Sequence, residues 1–220
     1  MNPIKKAVAF CLALAAPWGG AQATSISASM TVDNAFYAYI STDDSVRGTL
    51  IGSGNNWPTT FGFSGALTSG VNNYLHIVAI NYGGPGAFIG QFSLSDTAFK
   101  FANGTQSLLT HATNTTDWRV RYASSNGTVA EQPWVMPNGT DTVFSLGLDG
   151  TSPWGFRPGI SDAAAFIWGS TANSLCATTG NHCTVSFSTT IFADAVPAPV
   201  SLALVGLGLI GLGALRRRAA

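Results

Sequence analysis

Charge is scarce in this 220-residue sequence. Asp, Glu, Lys and Arg together make up 9% of it, against roughly 25% in an ordinary soluble domain. Glutamate is nearly missing, with Glu131 alone, so a carboxylate pair for glycoside hydrolysis would have to recruit an aspartate. Basic residues are few between 24 and 195, where Arg47, Lys100, Arg119, Arg121 and Arg157 face all ten acidic residues of the chain, a net charge of −5. A nucleic-acid partner is thereby disfavoured, because phosphate binding needs a basic face that displaces counterions. Long helical periodicity is missing as well, so the central region offers no amphipathic helix on which to build a bundle.

The two ends differ from everything between them. Lys5 and Lys6 precede an apolar run of ten residues, Ala7 to Ala16, and Ala21-Gln22-Ala23 follows. A positive stretch, a short apolar core and small residues at the two positions read by signal peptidase constitute a secretory signal. Residues 1–23 are therefore expected to be removed by signal peptidase, leaving a chain that begins near Thr24. At the other end Val196-Pro197-Ala198-Pro199 leads into an apolar stretch from Val200 to Leu215, closed by Arg216, Arg217 and Arg218. Sixteen apolar residues approach the ~20 that a helix needs to cross hydrocarbon. The prolines stand before the helix, where a missing N–H costs little, and the arginines favour the cytoplasmic side. Gly206, Gly208 and Gly211 spell a dinucleotide fingerprint, but no strand precedes them and only nine residues follow, so the match has no structural context.

In this order of Pro-x-Pro motif, apolar helix and terminal arginine cluster, residues 196–220 resemble a PEP-CTERM sorting signal, with Ala198 where that family usually has Glu. The resemblance implies recognition by an exosortase, a membrane cysteine transpeptidase of Gram-negative bacteria that make exopolysaccharide. It further implies an exported protein, transiently anchored in the inner membrane by its C-terminal helix and then passed to the cell surface or extracellular matrix. A permanent C-terminal anchor is the plainer reading of the same hydropathy.

Residues 24–195 are the size of one domain with its own core. Short segments rich in β-branched and aromatic residues alternate there with clusters of Gly, Asn, Asp, Ser and Pro, which marks strands and turns. Strands are expected at 25–32, 35–41, 60–63, 74–82, 87–94, 118–122, 143–148, 164–168 and 184–192. The stretch Tyr74-Leu75-His76-Ile77-Val78-Ala79-Ile80 is apolar on both alternating faces, as a central strand should be. Asn-Gly pairs at Asn103, Asn126 and Asn138 read as turns. The fold class is thus all-β, a β-sandwich of jelly-roll type. The run from Val32 to Ile40, Trp57, the run from Asn72 to Gly86 and the later Ala165-Phe166-Ile167-Trp168 make this region similar to galactose-binding-like jelly rolls. That resemblance implies a carbohydrate-binding or accessory module.

Five tryptophans lie in this region: Trp57, Trp118, Trp134, Trp154 and Trp168. A flat aromatic face stacks on the C–H face of a sugar while amides hydrogen-bond its hydroxyls. Trp57 with Asn55 and Asn56, together with Trp154 and Asn81, are accordingly the candidate ligand-binding residues. Their competing role is to cap the core, which large aromatics usually do. Asp33, Asp43 and Asp44 are candidate oxygen ligands for calcium, with turn formation as the cheaper explanation; no other cofactor is expected. Cys11 falls in the signal, so Cys176 and Cys183 are expected to pair as a disulfide in an oxidising compartment. A metal site from Cys176, His182 and Cys183 lacks a fourth ligand.

Catalytic constellations are sparse. Gly62-Phe63-Ser64-Gly65-Ala66 departs from a nucleophile elbow in its last residue, and no helical pattern follows. His76 reads as a core residue. The expected function is an exported envelope or biofilm-matrix protein whose β-sandwich contacts extracellular polysaccharide, and it is not expected to be an enzyme. The alternatives are a purely structural matrix protein or, least favoured, a glycan-active hydrolase.

Overall fold

The computed structural model of the protein describes residues 23–111, 117–125, 136–137, 141–169 and 182–194. The expected secretory signal, except Ala23, and the C-terminal sorting segment lie outside these residues, as do Glu131, Trp134 and Cys176. Twelve strands are described: β1 (Ser25–Asp33), β2 (Ala35–Ser41), β3 (Thr49–Gly54), β4 (Phe61–Ala66), β5 (Asn73–Asn81), β6 (Ala87–Leu94), β7 (Phe99–Phe101), β8 (Ser107–Leu109), β9 (Arg119–Ser125), β10 (Val143–Leu148), β11 (Ala165–Gly169) and β12 (His182–Ala193). No helix long and apolar enough to cross a membrane occurs among the described residues.

The strands form two antiparallel sheets. The first runs β10-β11-β6-β1-β4, and β8 also pairs with β6; the second runs β3-β2-β5-β12-β7, and β9 also pairs with β12. Each sheet is organised around one long strand that changes partner along its length. β6 meets β11 at Phe88 and β8 from Gln91 to Ser93. β12 meets β9 from His182 to Ser188 and β7 from Ile191 to Ala193.

Alternation explains which face is buried. Along β1, Ile26, Ala28, Met30 and Val32 enter the main core, while Ser25, Ser27 and Ser29 take the opposite face of the pleat. β5 is buried throughout apart from Tyr74. Its Leu75, Ile77 and Ala79 face the main core, and Val78 and Ile80 form a second-face cluster with Ala35 and Tyr39. This double-sided burial is what the apolar run predicted, and β5 does sit between β2 and β12. An aromatic group bridges the sheets. Phe88 of β6 lies 5.4 Å from Trp118 with the rings at 89°, and 5.1 Å from Phe187 of β12.

Nine expected strands are present, with boundaries displaced by up to three residues. β3, β7 and β8 were not expected. β7 and β8 are three residues long, too short for alternation to register. β3 reads Thr-Leu-Ile-Gly-Ser-Gly, with two glycines and an exposed edge. Those glycines have a packing reason. A Cβ built on Gly52 would stand 2.5 Å from the Phe63 ring, and one on Gly54 2.6 Å from the Phe61 ring. Their missing side chains let both β4 phenylalanines close the sandwich against Phe36, at 5.6 and 5.9 Å.

Truncating Phe88, which is fully buried, should remove about 3–5 kcal/mol of stability. The check is urea unfolding of Phe88→Ala, read as a lower midpoint at unchanged slope.

Candidate functional site

Two loops at one end of the sandwich carry the tryptophans expected to bind sugar. The β3–β4 loop presents Asn55, Asn56 and Trp57, and the loop after β10 presents Trp154. The structure brings these loops together. Arg157 joins them: its Nη1 donates to the Pro58 carbonyl at 3.1 Å, its Nη2 donates to the Trp154 carbonyl, and its Cζ lies 5.2 Å from the centre of the Trp57 ring. The Arg157 backbone N–H is held in turn by the Asp149 carboxylate at 2.9 Å.

The two tryptophans part company in what they offer a ligand. Trp154 is 4% exposed, its ring stacks on Phe166 at 5.0 Å, and its indole N–H donates to Asp33 Oδ2 at 3.0 Å. It is a core residue in a cluster with Ala87, Ile89, Ile160, Ala164 and Phe166, so the expectation of a second sugar platform there is corrected. Burial wins because the indole satisfies its one polar group on Asp33 and leaves only apolar surface to bury. Trp57 is half-buried against the same cluster and has Arg157 over its ring, while Asn55 and Asn56 beside it are exposed. Asn56 uses its amide to donate to Thr59 Oγ1 at 2.8 Å.

Asn81 is likewise not a ligand group. It is fully buried; its Nδ2 donates to the Gly84 carbonyl at 2.8 Å and its Oδ1 accepts from the Gly83 N–H at 2.9 Å. It braces the turn after β5, where Gly83 and Gly84 take φ values of 128° and 79° that other residues rarely adopt.

The calcium expectation is corrected by distance along a strand. Asp33 precedes β2 and Asp43 and Asp44 follow it, so seven extended residues, ~23 Å at the usual rise, lie between them. They cannot share one ion. Each has a local task instead. Burial raises the Asp33 pKa, which the Trp154 indole partly offsets. Asp43 is exposed and accepts from the Ser45 hydroxyl at 2.7 Å and its N–H at 2.9 Å, contacts that lower its pKa. No group of three or more His, Cys, Asp or Glu side chains suited to a metal occurs among the described residues. Cys183 is 1% exposed and disulfide-bonded; its expected partner Cys176 lies outside the described residues. The Tyr122 hydroxyl stands 3.3 Å from its sulfur.

Asp44 anchors a polar cluster that the sequence did not disclose. It lies in the β2–β3 loop, yet its Oδ1 accepts from the Ser188 hydroxyl of β12 at 2.7 Å and meets His76 Nε2 of β5 at 3.0 Å. Its Oδ2 pairs with Arg119 Nη1 of β9 at 2.6 Å. His76 Nδ1 faces the Arg47 carbonyl at 3.0 Å, and Arg47 lies over the Tyr39 ring at 5.0 Å. Burial alone would raise the Asp44 pKa; the contacts from His76, Ser188 and Arg119 outweigh it and bring the value to about 2. The cluster contains Ser, His and Asp in the wrong order for acyl transfer. The serine hydroxyl donates to the carboxylate, whereas an activated serine needs the imidazole as its base. His76 and Ser188 are also fully buried. The arrangement pins the loop across three strands. Spacing gave no hint of it, because its members are separated by up to 144 positions.

Ser64 of the near-elbow stands exposed on β4. Asn103 makes the expected turn, accepting from the Thr105 N–H at 3.0 Å. No family model, curated protein or solved structure matches the chain. The class is therefore set by architecture alone: an all-β protein of two packed antiparallel sheets.

The Asp44 cluster has a signed pH dependence. Its folded pKa lies at about 2, below the ordinary aspartate value of about 3.9, so its contribution is complete above about pH 4 and fades as pH falls through 2. That difference amounts to about 2 kcal/mol. Urea unfolding at pH 5 and pH 2 should show Asp44→Asn losing about 2 kcal/mol less over that interval than the unaltered protein.

Proposed function

We propose that this protein is an exported component of the cell envelope or biofilm matrix. In this reading its 196–220 segment is a PEP-CTERM-like address handled by an exosortase, and its sandwich is a jelly roll of galactose-binding-like type that holds extracellular polysaccharide. The sorting half of the reading rests on one observation: Pro197-Ala198-Pro199, sixteen uncharged apolar or small residues and Arg216-Arg217-Arg218 follow one another at the end of a chain that opens with Lys5, Lys6, an apolar core and Ala21-Gln22-Ala23. The C-terminal run suits a transient helix in the inner membrane, with the arginines retained on the cytoplasmic side.

The polysaccharide half is supported by the surface around the β3–β4 loop. Asn55 and Asn56 are exposed amides beside the half-buried Trp57 ring, and an aromatic face with amide neighbours is the usual chemistry of sugar recognition. Arg157 fixes the loop through Pro58, so little conformational freedom is lost on binding. The acidic surplus of residues 24–195 favours a neutral glycan over a uronic-acid polymer, which it would repel.

Mass spectrometry of the product from an exosortase-bearing Gram-negative host should find a chain starting near Thr24 and ending near Pro197. Without the exosortase, the same chain should keep Arg216–Arg218 and pellet with membranes. Retention of the tail in both hosts would overturn the sorting half of the reading. Retention of the protein on insoluble exopolysaccharide that saturates with added protein supports the binding half, and a linear, unsaturable uptake would favour a structural matrix role instead.

A further inference from the structure

A groove of about 280 Å³ runs beside β2 and β3, lined by Ala35, Phe36, Tyr37, Ser53, Asn55, Phe61 and Tyr82, with Gly54 at its floor. It lies on neither tryptophan, although Asn55 at its rim is two residues from Trp57. Several independent features of the chain converge on it. Tyr37 and Tyr82 are half-buried, and both pack on the second-face cluster of Ala35, Tyr39, Val78 and Ile80. Tyr82 is held at its backbone, where its N–H donates to Asn34 Oδ1 at 2.7 Å. The turn that follows is braced by Asn81 through Gly83 and Gly84. At the floor, Gly54 allows Phe61 to lie against Phe36, since a Cβ there would meet the Phe61 ring at 2.6 Å and the Phe36 ring at 2.7 Å. Burial, then the neighbouring Tyr37 phenol, pushes the Tyr82 hydroxyl above the ordinary phenol range.

From this placement we infer that the Tyr37–Tyr82 groove is a subsite for a neutral oligosaccharide, distinct from the Trp57 surface that it adjoins through Asn55. The inference rests on the polysaccharide reading above and names its site and ligand class. The reasoning is one of chemical fit. Every side chain lining the groove is uncharged, so it offers no counter-charge to a carboxylate or sulfate. Two phenol rings and Phe61 supply apolar faces for pyranose C–H groups, while the Tyr37 hydroxyl, Ser53 and the Asn55 amide supply donors and acceptors around them. The Tyr37 and Tyr82 rings pack on the second-face cluster, and the Tyr82 backbone is held by Asn34, before any ligand arrives, so the ordering cost that weakens mobile aromatic sites is small here. Tyr37 lies on β2 and Tyr82 immediately follows β5, the two strands being neighbours in the second sheet. Their sequence separation hides the pairing.

The test uses the full chain in a polyoxyethylene detergent, whose head group carries no sugar, with titration calorimetry against cellotriose, laminaritriose, galactotriose and trimannuronate. At least one neutral trisaccharide should bind, with trimannuronate weaker. Tyr37→Ala and Tyr82→Ala should each weaken that binding by about tenfold or more, as expected when a stacking face is lost. Tyr82→Phe keeps the ring and should stay within about threefold, which separates recognition from loss of fold, and thermal unfolding of each variant confirms that it folds. Val71→Ala, at an exposed position outside the groove, should leave trisaccharide affinity within about threefold. Unchanged affinity in both tyrosine-to-alanine variants would overturn the groove while leaving the polysaccharide reading intact. Failure of the unaltered chain to bind any neutral trisaccharide, while still being retained on exopolysaccharide, would overturn the groove alone. Failure of both would remove the polysaccharide reading as well.

Discussion

Phe88 and Phe187 meet across the interior at 5.1 Å, with Trp118 set edge-on against Phe88. They belong to the long strands of opposite sheets, β6 and β12, and each of those strands has two successive partners on its outer side. Face-to-face sheets pack about 10 Å apart because side chains of that size interdigitate between them. With the two central strands fixed in this way, the positions of the remaining strands follow by hydrogen bonding outward to the edges. The loops that carry Asp43, Asp44, Asn55, Asn56, Trp57 and Trp154 are then placed by strand ends and not by their own composition.

The second constraint is polar. The β2–β3 loop has few apolar residues with which to dock, yet Asp44 fastens it to β5, β9 and β12 through His76, Arg119 and Ser188. A carboxylate removed from water is tolerated only when its oxygens are satisfied, and here three side chains do so. That loop leads directly into β3, the strand that forms one wall of the Tyr37–Tyr82 groove. The pin therefore fixes the loop that enters β3 beside that groove, while none of its members lines the groove. Arg157 plays a comparable part at the other loop pair, where one guanidinium contacts Pro58, Trp154 and the Trp57 ring.

The candidate residues read from sequence were divided by burial. Aromatic residues in turn-rich segments look equally available to a ligand, but Trp154 has an interior partner for its indole N–H in Asp33, whereas Trp57 remains half-buried under Arg157. Asn81 looked like an amide for a ligand and is spent on its own turn. Asp33, Asp43 and Asp44 were weighed as calcium ligands against turn formation, and a full strand separates Asp33 from the other two. In each case the residue type was read correctly and its surroundings were not. A side chain's partner comes from another part of the chain, and local pattern carries no record of it. The tyrosines are the converse case: Tyr37 and Tyr82 were passed over as ordinary strand residues, and only strand pairing puts them on one groove.

What the sequence by itself determined is whatever depends on neighbours along the chain. Segments rich in β-branched and aromatic residues between turn-forming clusters placed nine of the strands, the double-sided apolar run placed β5 at the centre of its sheet, and Asn103-Gly104 made its turn, because strand propensity and turn chemistry are local properties. The tertiary structure alone decided which strands became edges, why β3 needs Gly52 and Gly54, which tryptophan is buried, and how Asp44 meets a histidine, an arginine and a serine from three other strands. Those outcomes depend on contacts between residues tens of positions apart, which exist only after the two sheets have closed on each other.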